Sequence, residues 1–333
     1  MKPKAHRALV QLNLELTSRC PLRCPQCYCS LKGKDLDLDL ALSAIQEAAS
    51  LGARQVNLSG GETLLYPELI RLINECKALG LESNIAISGW GASPSRLQEL
   101  KNAGLTRVFV SLNGSTETIN RRSREGFSLA MSALDNLKEV KFSNTIINWV
   151  AHAESVPDFR NMLKLCERHG VPCLFVLGVK PDAAGKMDTA PDARQTKRLA
   201  REIQEAKMTS RTRVVVESCY SSLRAYLGAS LAGNTNIGLA KGCPAGKLGV
   251  SANVEGRFAP CRHLQSSENF GSLTEYWENS LELQGFRTKT QDPACAGCAL
   301  SQHCTGCAAI SRASAGNGWS CGLMKAGEKG IIG

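Results

Sequence analysis

Aromatic residues make up only 5% of the 333-residue chain, too few for the stacking platforms that hold single-stranded nucleic acid. Apolar runs stay strand-sized, as in Cys173-Leu-Phe-Val-Leu177, so no segment is a candidate membrane span. The amino terminus passes from Met-Lys-Pro-Lys-Ala-His-Arg into Ala8-Leu-Val-Gln-Leu-Asn-Leu-Glu-Leu16 without an apolar signal core or a small-residue cleavage site. That argues against secretion and for a cytoplasmic protein. Five histidines show no metal-like pairing. The formal charge is +10, yet basic residues are scattered and form no polybasic run, which reads as a solvated surface rather than a nucleic-acid face. A composition that is 43% hydrophobic and 21% charged excludes wholesale disorder. The length suggests about two domains.

Cysteine is what the chain has in excess. Fifteen of them without a secretory signal point to metal or redox chemistry rather than a disulfide scaffold, and an odd number cannot pair fully. Cys20, Cys24, Cys27 and Cys29 crowd one stretch, while Cys243, Cys261, Cys295, Cys298, Cys304, Cys307 and Cys321 fill the last quarter.

Apolar periodicity predicts strands at 10–16, 55–59, 83–88, 107–112, 145–151 and 173–179. Helices are expected at 36–51, 68–79, 95–103, 128–138, 158–169 and 192–208, several of them closed by glycine. Six strand–helix units at regular spacing indicate a parallel α/β sheet, too short for an eight-stranded barrel. An open, partial (β/α)6 TIM-like barrel over 8–232 is expected, with its active site in the loops at the carboxyl ends of the strands. From 233 to 333 glycine and cysteine dominate and one helix stands out, beginning at Leu273. A segment with so little apolar core is one that metal centres can stabilise.

Cys20-Pro-Leu-Arg-Cys24-Pro-Gln-Cys27 follows the first strand directly. By spacing alone the triad suits a zinc ion, with Cys29 as fourth ligand, or an iron–sulfur cube with one open iron. Its position breaks the tie. Cys-x3-Cys-x2-Cys after strand one, with Gly60-Gly61-Glu62-Thr63 after strand two, resembles the radical SAM superfamily. Ser111-Leu-Asn113-Gly114, ending strand four, is similar to that family's Ser-Leu-Asp-Gly, with Asn113 in place of the acid. The resemblance implies that Cys20, Cys24 and Cys27 hold a [4Fe–4S] cluster whose fourth iron binds S-adenosylmethionine (SAM). It further implies that Gly60, Gly61 and Glu62 meet the methionine end of SAM, and that Ser111 and Asn113 face it. Arg122 or Arg124 would lie near its carboxylate. Gln26 stands where the family usually has an aromatic, so any contact there is through backbone.

The carboxyl-terminal cysteines, with Phe270-Gly-Ser-Leu-Thr-Glu-Tyr-Trp277 between them, resemble the SPASM extension of radical SAM enzymes. The likeness implies two auxiliary [4Fe–4S] clusters, three clusters in all. Cys295, Cys298, Cys304 and Cys321 would hold the outer one, and Cys243, Cys261 and Cys307 the inner one. The inner site is thereby one ligand short. It is expected to be open to a substrate thiol, with Cys219 as the internal alternative or as a catalytic hydrogen donor. A pair of zinc ribbons is the bland reading of the region. Cys76, Cys166 and Cys173 read as buried small hydrophobes, while His152 and Lys180, ending strands five and six, are pocket candidates.

The function implied is a peptide maturase that cleaves SAM reductively and abstracts hydrogen from a ribosomally made precursor peptide, forming a thioether or carbon–carbon crosslink. Flavodoxin or ferredoxin would supply the electron, and a separate protein would bind the leader. A dehydrogenase or epimerase of a protein side chain or a small sugar or alcohol is the alternative. Pro260-Cys261-Arg262-His263 lacks the Asp that sulfatase-maturing relatives use as base. A zinc-binding nucleic-acid scaffold is the reading from another class.

Overall fold

The computed structural model describes residues 8–227, 243–288 and 306–310. Six strand–helix units appear in the expected order: β1 (Gln11–Thr17), α1 (Leu38–Ser50), β2 (Gln55–Gly60), α2 (Leu69–Ala78), β3 (Glu82–Ile87), α3 (Pro94–Ala103), β4 (Arg107–Ser111), a short α4 (Glu117–Asn120), α5 (Phe127–Glu139), β5 (Thr145–Ala151), α6 (Phe159–His169), β6 (Cys173–Gly178) and α7 (Ala193–Thr209). Beyond them come β7 (Arg213–Val216), α8 (Ser221–Leu227), β8 (Gly249–Ala252), β9 (Phe258–Ala259), α9 (Leu273–Asn279) and α10 (Leu281–Thr288).

The sheet is larger than six strands. Its order is β7-β6-β5-β4-β3-β2-β1-β8-β9, parallel except for the β8–β9 pair. The boundary expected at 232/233 falls in 228–242, outside the described residues, as do Cys295, Cys298, Cys304 and Cys321.

Local chemistry sets the helix ends. Asp37 caps α1 by accepting from the Leu40 amide, and Ser93 caps α3 ahead of Pro94. Asp192 and Gln195 form a reciprocal capping box on α7. On α1, Ala41, Ala44, Ile45 and Ala48 are buried, one stripe at helical spacing turned to the sheet.

The strands sort their faces in an unusual way. In β1, Leu12, Leu14 and Leu16 are fully buried and belong to the main apolar core, while the alternate residues Gln11 and Asn13 line an interior cavity. Register repeats this across the sheet, aligning Asn13 with Asn57, Asn57 with Asn84 and Asn84 with Arg107. Asn57 donates to Asn13 at 2.9 Å, Asn84 to Asn57 at 3.0 Å and Arg107 to Asn84 at 3.1 Å. The barrel interior is therefore a polar floor whose neighbouring amides are hydrogen-bonded to one another.

Candidate active site

A cavity of about 1140 Å³ opens over that floor, and Cys20, Cys24, Cys27 and Cys29 all line it. Their loop is held at its root by Arg19, which donates to both oxygens of Asp35 at 2.9 and 2.6 Å and to the Leu65 carbonyl at 2.6 Å. A planar guanidinium in that bidentate geometry fixes direction as well as distance. The neighbouring Cys29 side chain, with the charges of Arg124 and Arg23, holds the Cys27 thiol below its ordinary value, and the Cys27 sulfur donates to the Cys29 carbonyl at 3.9 Å. The Cys29 thiol reaches the Gly60 carbonyl at 3.6 Å.

Gly60 and Gly61 serve this loop directly. Gly60 has φ +144°, and a Cβ there would stand 2.3 Å from the Thr17 carbonyl oxygen. A Cβ on Gly61 would meet the Arg19 carbonyl oxygen at 2.4 Å and the Cys20 Cβ at 2.9 Å. Only hydrogen fits, so β2 can lie against the cysteine loop, and the Gly61 and Glu62 amides donate to the Thr17 and Arg19 carbonyls at 2.7 and 2.9 Å.

Several expected SAM contacts have other partners. Glu62 is fully buried; its carboxylate accepts from the Ser88 amide at 2.8 Å, from the Ser88 hydroxyl and from the Leu64 amide at 3.3 Å. Burial pushes its pKa up against those hydrogen bonds. Asn113 is equally committed: its side chain donates to Ser123 at 3.0 Å and accepts from the Val150 amide at 3.0 Å. Ser111 and Gln26 line the cavity, and the Gln26 amide donates to the Ser123 carbonyl at 3.3 Å, leaving its side-chain Oε1 buried without a partner. Arg124 lines the cavity with a buried, unpartnered Nε. Arg122 is exposed and pairs with Glu154 at 3.2 Å.

The second group of thiols meets the same cavity. Cys219, Cys243 and Cys261 line it, and the Cys219 and Cys243 sulfurs are 3.7 Å apart. Cys307 is buried in a small apolar cluster with Leu264 and Ala309, against which Cys261 packs. Burial pushes the Cys261 thiol up to about 12 and raises Cys307 as well. The Cys219–Cys243 hydrogen bond lowers the first and raises the second. Lys180 stands at the cavity wall, donating to Glu217 at 2.5 Å and to the Gly178 carbonyl at 3.1 Å. His152 is buried away from the cavity, and burial lowers its pKa to about 4.

Sequence reasoning missed the connection between the two cysteine regions. Arg262 donates to Asn13 on the floor at 3.2 Å and to the Tyr28 hydroxyl at 3.5 Å. The Tyr28 and His263 rings lie 4.3 Å apart. Arg262 and His263 follow Cys261, and Tyr28 follows Cys27, so adjacency to a cysteine was the one available signal.

Residues 14–166 match the model of the Radical SAM superfamily. A PqqA peptide cyclase of Ruegeria pomeroyi is 32% identical over 210 residues, 60% of this chain and 56% of that protein. This chain thus spans little more than half the length of that relative. A PqqA peptide cyclase of a Methylobacterium species is 27% identical over 321 residues, covering 87% of this chain and 79% of that one. Among solved structures, SuiB of Streptococcus suis bound to S-adenosylmethionine superposes with a TM-score of 0.74 at 16% identity, covering 92% of this chain and 74% of that one. Native anSMEcpe with bound AdoMet and the Cp18Cys peptide gives 0.67 at 15% identity, covering 89% and 88%. At these identities the structural likeness is one of fold.

Proposed function

The chain carries a radical SAM domain over residues 14–166, and from that premise we propose that it is a maturase of a ribosomally made precursor peptide. The carrying observation is convergence: the first cysteine triad, the Gly60-Gly61 turn at the carboxyl end of β2, and Cys219, Cys243 and Cys261 all line one cavity. The names of the sequence relatives, PqqA peptide cyclases, support a peptide substrate. So does the structural neighbour SuiB, solved with the precursor peptide SuiA.

The donor set fits iron–sulfur ligation. Cys20, Cys24 and Cys27 are three thiols on one cavity-facing loop, and thiolate is the usual ligand of iron–sulfur clusters. When bound, the cluster supplies the electron that cleaves SAM to methionine and a 5′-deoxyadenosyl radical. Arg124 offers a guanidinium, unpartnered at Nε, to the SAM carboxylate. Glu62 holds Ser88 and the end of β3 in place, and Asn113 anchors the segment from Asn120 to Arg124 by accepting from Val150 and bonding Asn120 and Ser123. Both are positioning residues. The amide floor presents Asn and Gln side chains, each able to make more hydrogen bonds than the one it shares with its neighbour, to a peptide backbone, while the leucines behind it exclude water.

The reading extends to two auxiliary clusters on the later cysteines and to a small electron carrier such as flavodoxin or ferredoxin. A separate leader-binding protein completes it. A cytoplasmic location belongs to the same reading, because it would shelter oxygen-labile cofactors. Among the described residues no helix is long and apolar enough to cross a membrane.

Anaerobic incubation of the reconstituted enzyme with SAM, dithionite and candidate peptides encoded beside its gene tests the reading. A peptide product lacking one hydrogen pair, with 5′-deoxyadenosine formed, is expected. Turnover of a small alcohol or sugar instead would overturn it.

A further inference from the structure

We infer that Cys219 is the fourth thiolate of the inner auxiliary centre, which closes that centre to substrate thiols. The inference rests on the maturase reading above and reverses the expectation of an open site. Cys219 stands outside the seven-cysteine pattern, 24 residues before Cys243 in sequence, so spacing does not assign it.

The fold does. β7 extends the sheet beside β6, and the chain then turns back: the Glu217 amide donates to the Val176 carbonyl at 3.0 Å, and the Tyr220 amide to the Glu217 carbonyl at 3.1 Å. The Glu217 carboxylate accepts from the Gly178 amide at 2.7 Å and from Lys180 at 2.5 Å. These contacts fix both ends of the turn that carries Cys219, and its sulfur lies 3.7 Å from that of Cys243. Cys261 shares the cavity, and Cys307 packs beside Cys261.

The four thiols come from four separate segments: Cys219 from the β7–α8 loop touches Cys243, at the start of the segment at 243, Cys261 follows β9 on the wall of the same cavity, and Cys307 lies behind Cys261 in the small apolar cluster. Cys219 lines the cavity, and within it the sulfur is paired with a second cysteine rather than standing alone as a hydrogen donor would. Lys180, which follows β6 and donates to Glu217 at the start of that turn, can offset part of the negative charge of four thiolates. Thiolate is the softest donor in the chain and suits iron–sulfur ligation. With all four corners filled from the chain, a peptide is held by the floor and not by its own cysteine.

The test uses the Cys20/Cys24/Cys27→Ala chain, reconstituted anaerobically so that the paramagnetic signal reports auxiliary centres alone. With Cys219 intact, added N-acetylcysteine amide should leave the reduced signal unchanged. Adding Cys219→Ala should either remove roughly four irons and four sulfides or leave a centre whose signal now shifts with the thiol; both outcomes support the ligand role. If Cys219→Ala changes neither iron content nor signal while Cys261→Ala loses iron, the ligand role falls and the auxiliary-cluster reading stands. If the parent holds no auxiliary iron at all, both fall together. The wild-type holoprotein needs no variant to give an answer: Cys219 should resist iodoacetamide until the iron is chelated, then label with Cys243 and Cys261. Labelling of Cys219 in the loaded protein would overturn the assignment.

Discussion

Arg122 and Arg124 are two residues apart and face opposite ways, one paired on the surface with Glu154 and the other in the cavity with a bare Nε. A charge-assisted bond to a carboxylate contributes about 1.5–3 kcal/mol. Arg124→Met should therefore weaken SAM binding roughly ten- to a hundredfold, while Arg122→Ala should change it by less than about twofold. Equilibrium dialysis of SAM against the reconstituted variants decides this, and equal effects would reverse the assignment. His152 carries a pH dependence. Its folded pKa of about 4 lies below the ordinary 6.5 because burial penalises the cation. Between those values the unfolded chain binds the extra proton, so stability falls as pH drops from 6.5 toward 4, by at most about 3 kcal/mol. Urea unfolding at pH 7.5 and 5.5 should show a smaller pH loss in His152→Gln than in the parent; parallel losses would remove His152 as the cause. At this scale the cysteines were legible from sequence because spacing on one loop suffices to group them. The partners of Glu62 and Asn113 were not, since Ser88, just past the end of β3, and Val150, on β5, are brought close only by strand register.

At the scale of elements, the helices and the six central strands were readable because each carries one apolar face at its own period. Thr145–Ala151 appears at the expected bounds, and every other end falls within two residues of its expected place. β8 and β9 escaped notice: four and two residues in a glycine-rich stretch carry no usable period. The polar floor escaped for a different reason. Alternation told that β1 has two unlike faces, but an interior lined by amides depends on Asn13, Asn57 and Asn84 falling in one row. The contact between β2 and the cysteine loop gives an element-scale prediction. In Gly60→Ala the new methyl would overlap the Thr17 carbonyl, at a backbone φ that L residues avoid. The strand end must move, and the Cys20 loop with it. That variant should lose most first-cluster iron and 5′-deoxyadenosine formation while keeping auxiliary iron. Full first-cluster loading would show that the two elements are not coupled as the contact implies.

At the scale of the whole molecule, residues on both sides of the expected domain boundary share one sheet and one core. β8 lies against β1 in parallel register from Gln11–Gly249 to Leu14–Ala252, and the Asn13 side chain donates to the Val250 carbonyl at 3.0 Å. Leu273, Tyr276 and Trp277 of α9 belong to the same apolar cluster as the barrel leucines, and the Thr274 amide donates to Glu47 on α1 at 2.7 Å. Each such large side chain is worth about 1.5–3 kcal/mol when fully buried, against a total stability of about 5–15 kcal/mol for an ordinary domain. Removing everything from residue 243 onward would strip Val250, Leu273, Tyr276 and Trp277 from the core. It would also uncover the β1 edge, a template for pairing with other chains. The truncated barrel should therefore aggregate, or melt without a cooperative transition, even when its own cysteine triad is supplied with iron and sulfide. Circular dichroism melting and size-exclusion chromatography of the fragment measure this. A monomeric fragment with a sharp transition would mean that the barrel folds alone, and that the later cysteines serve only chemistry.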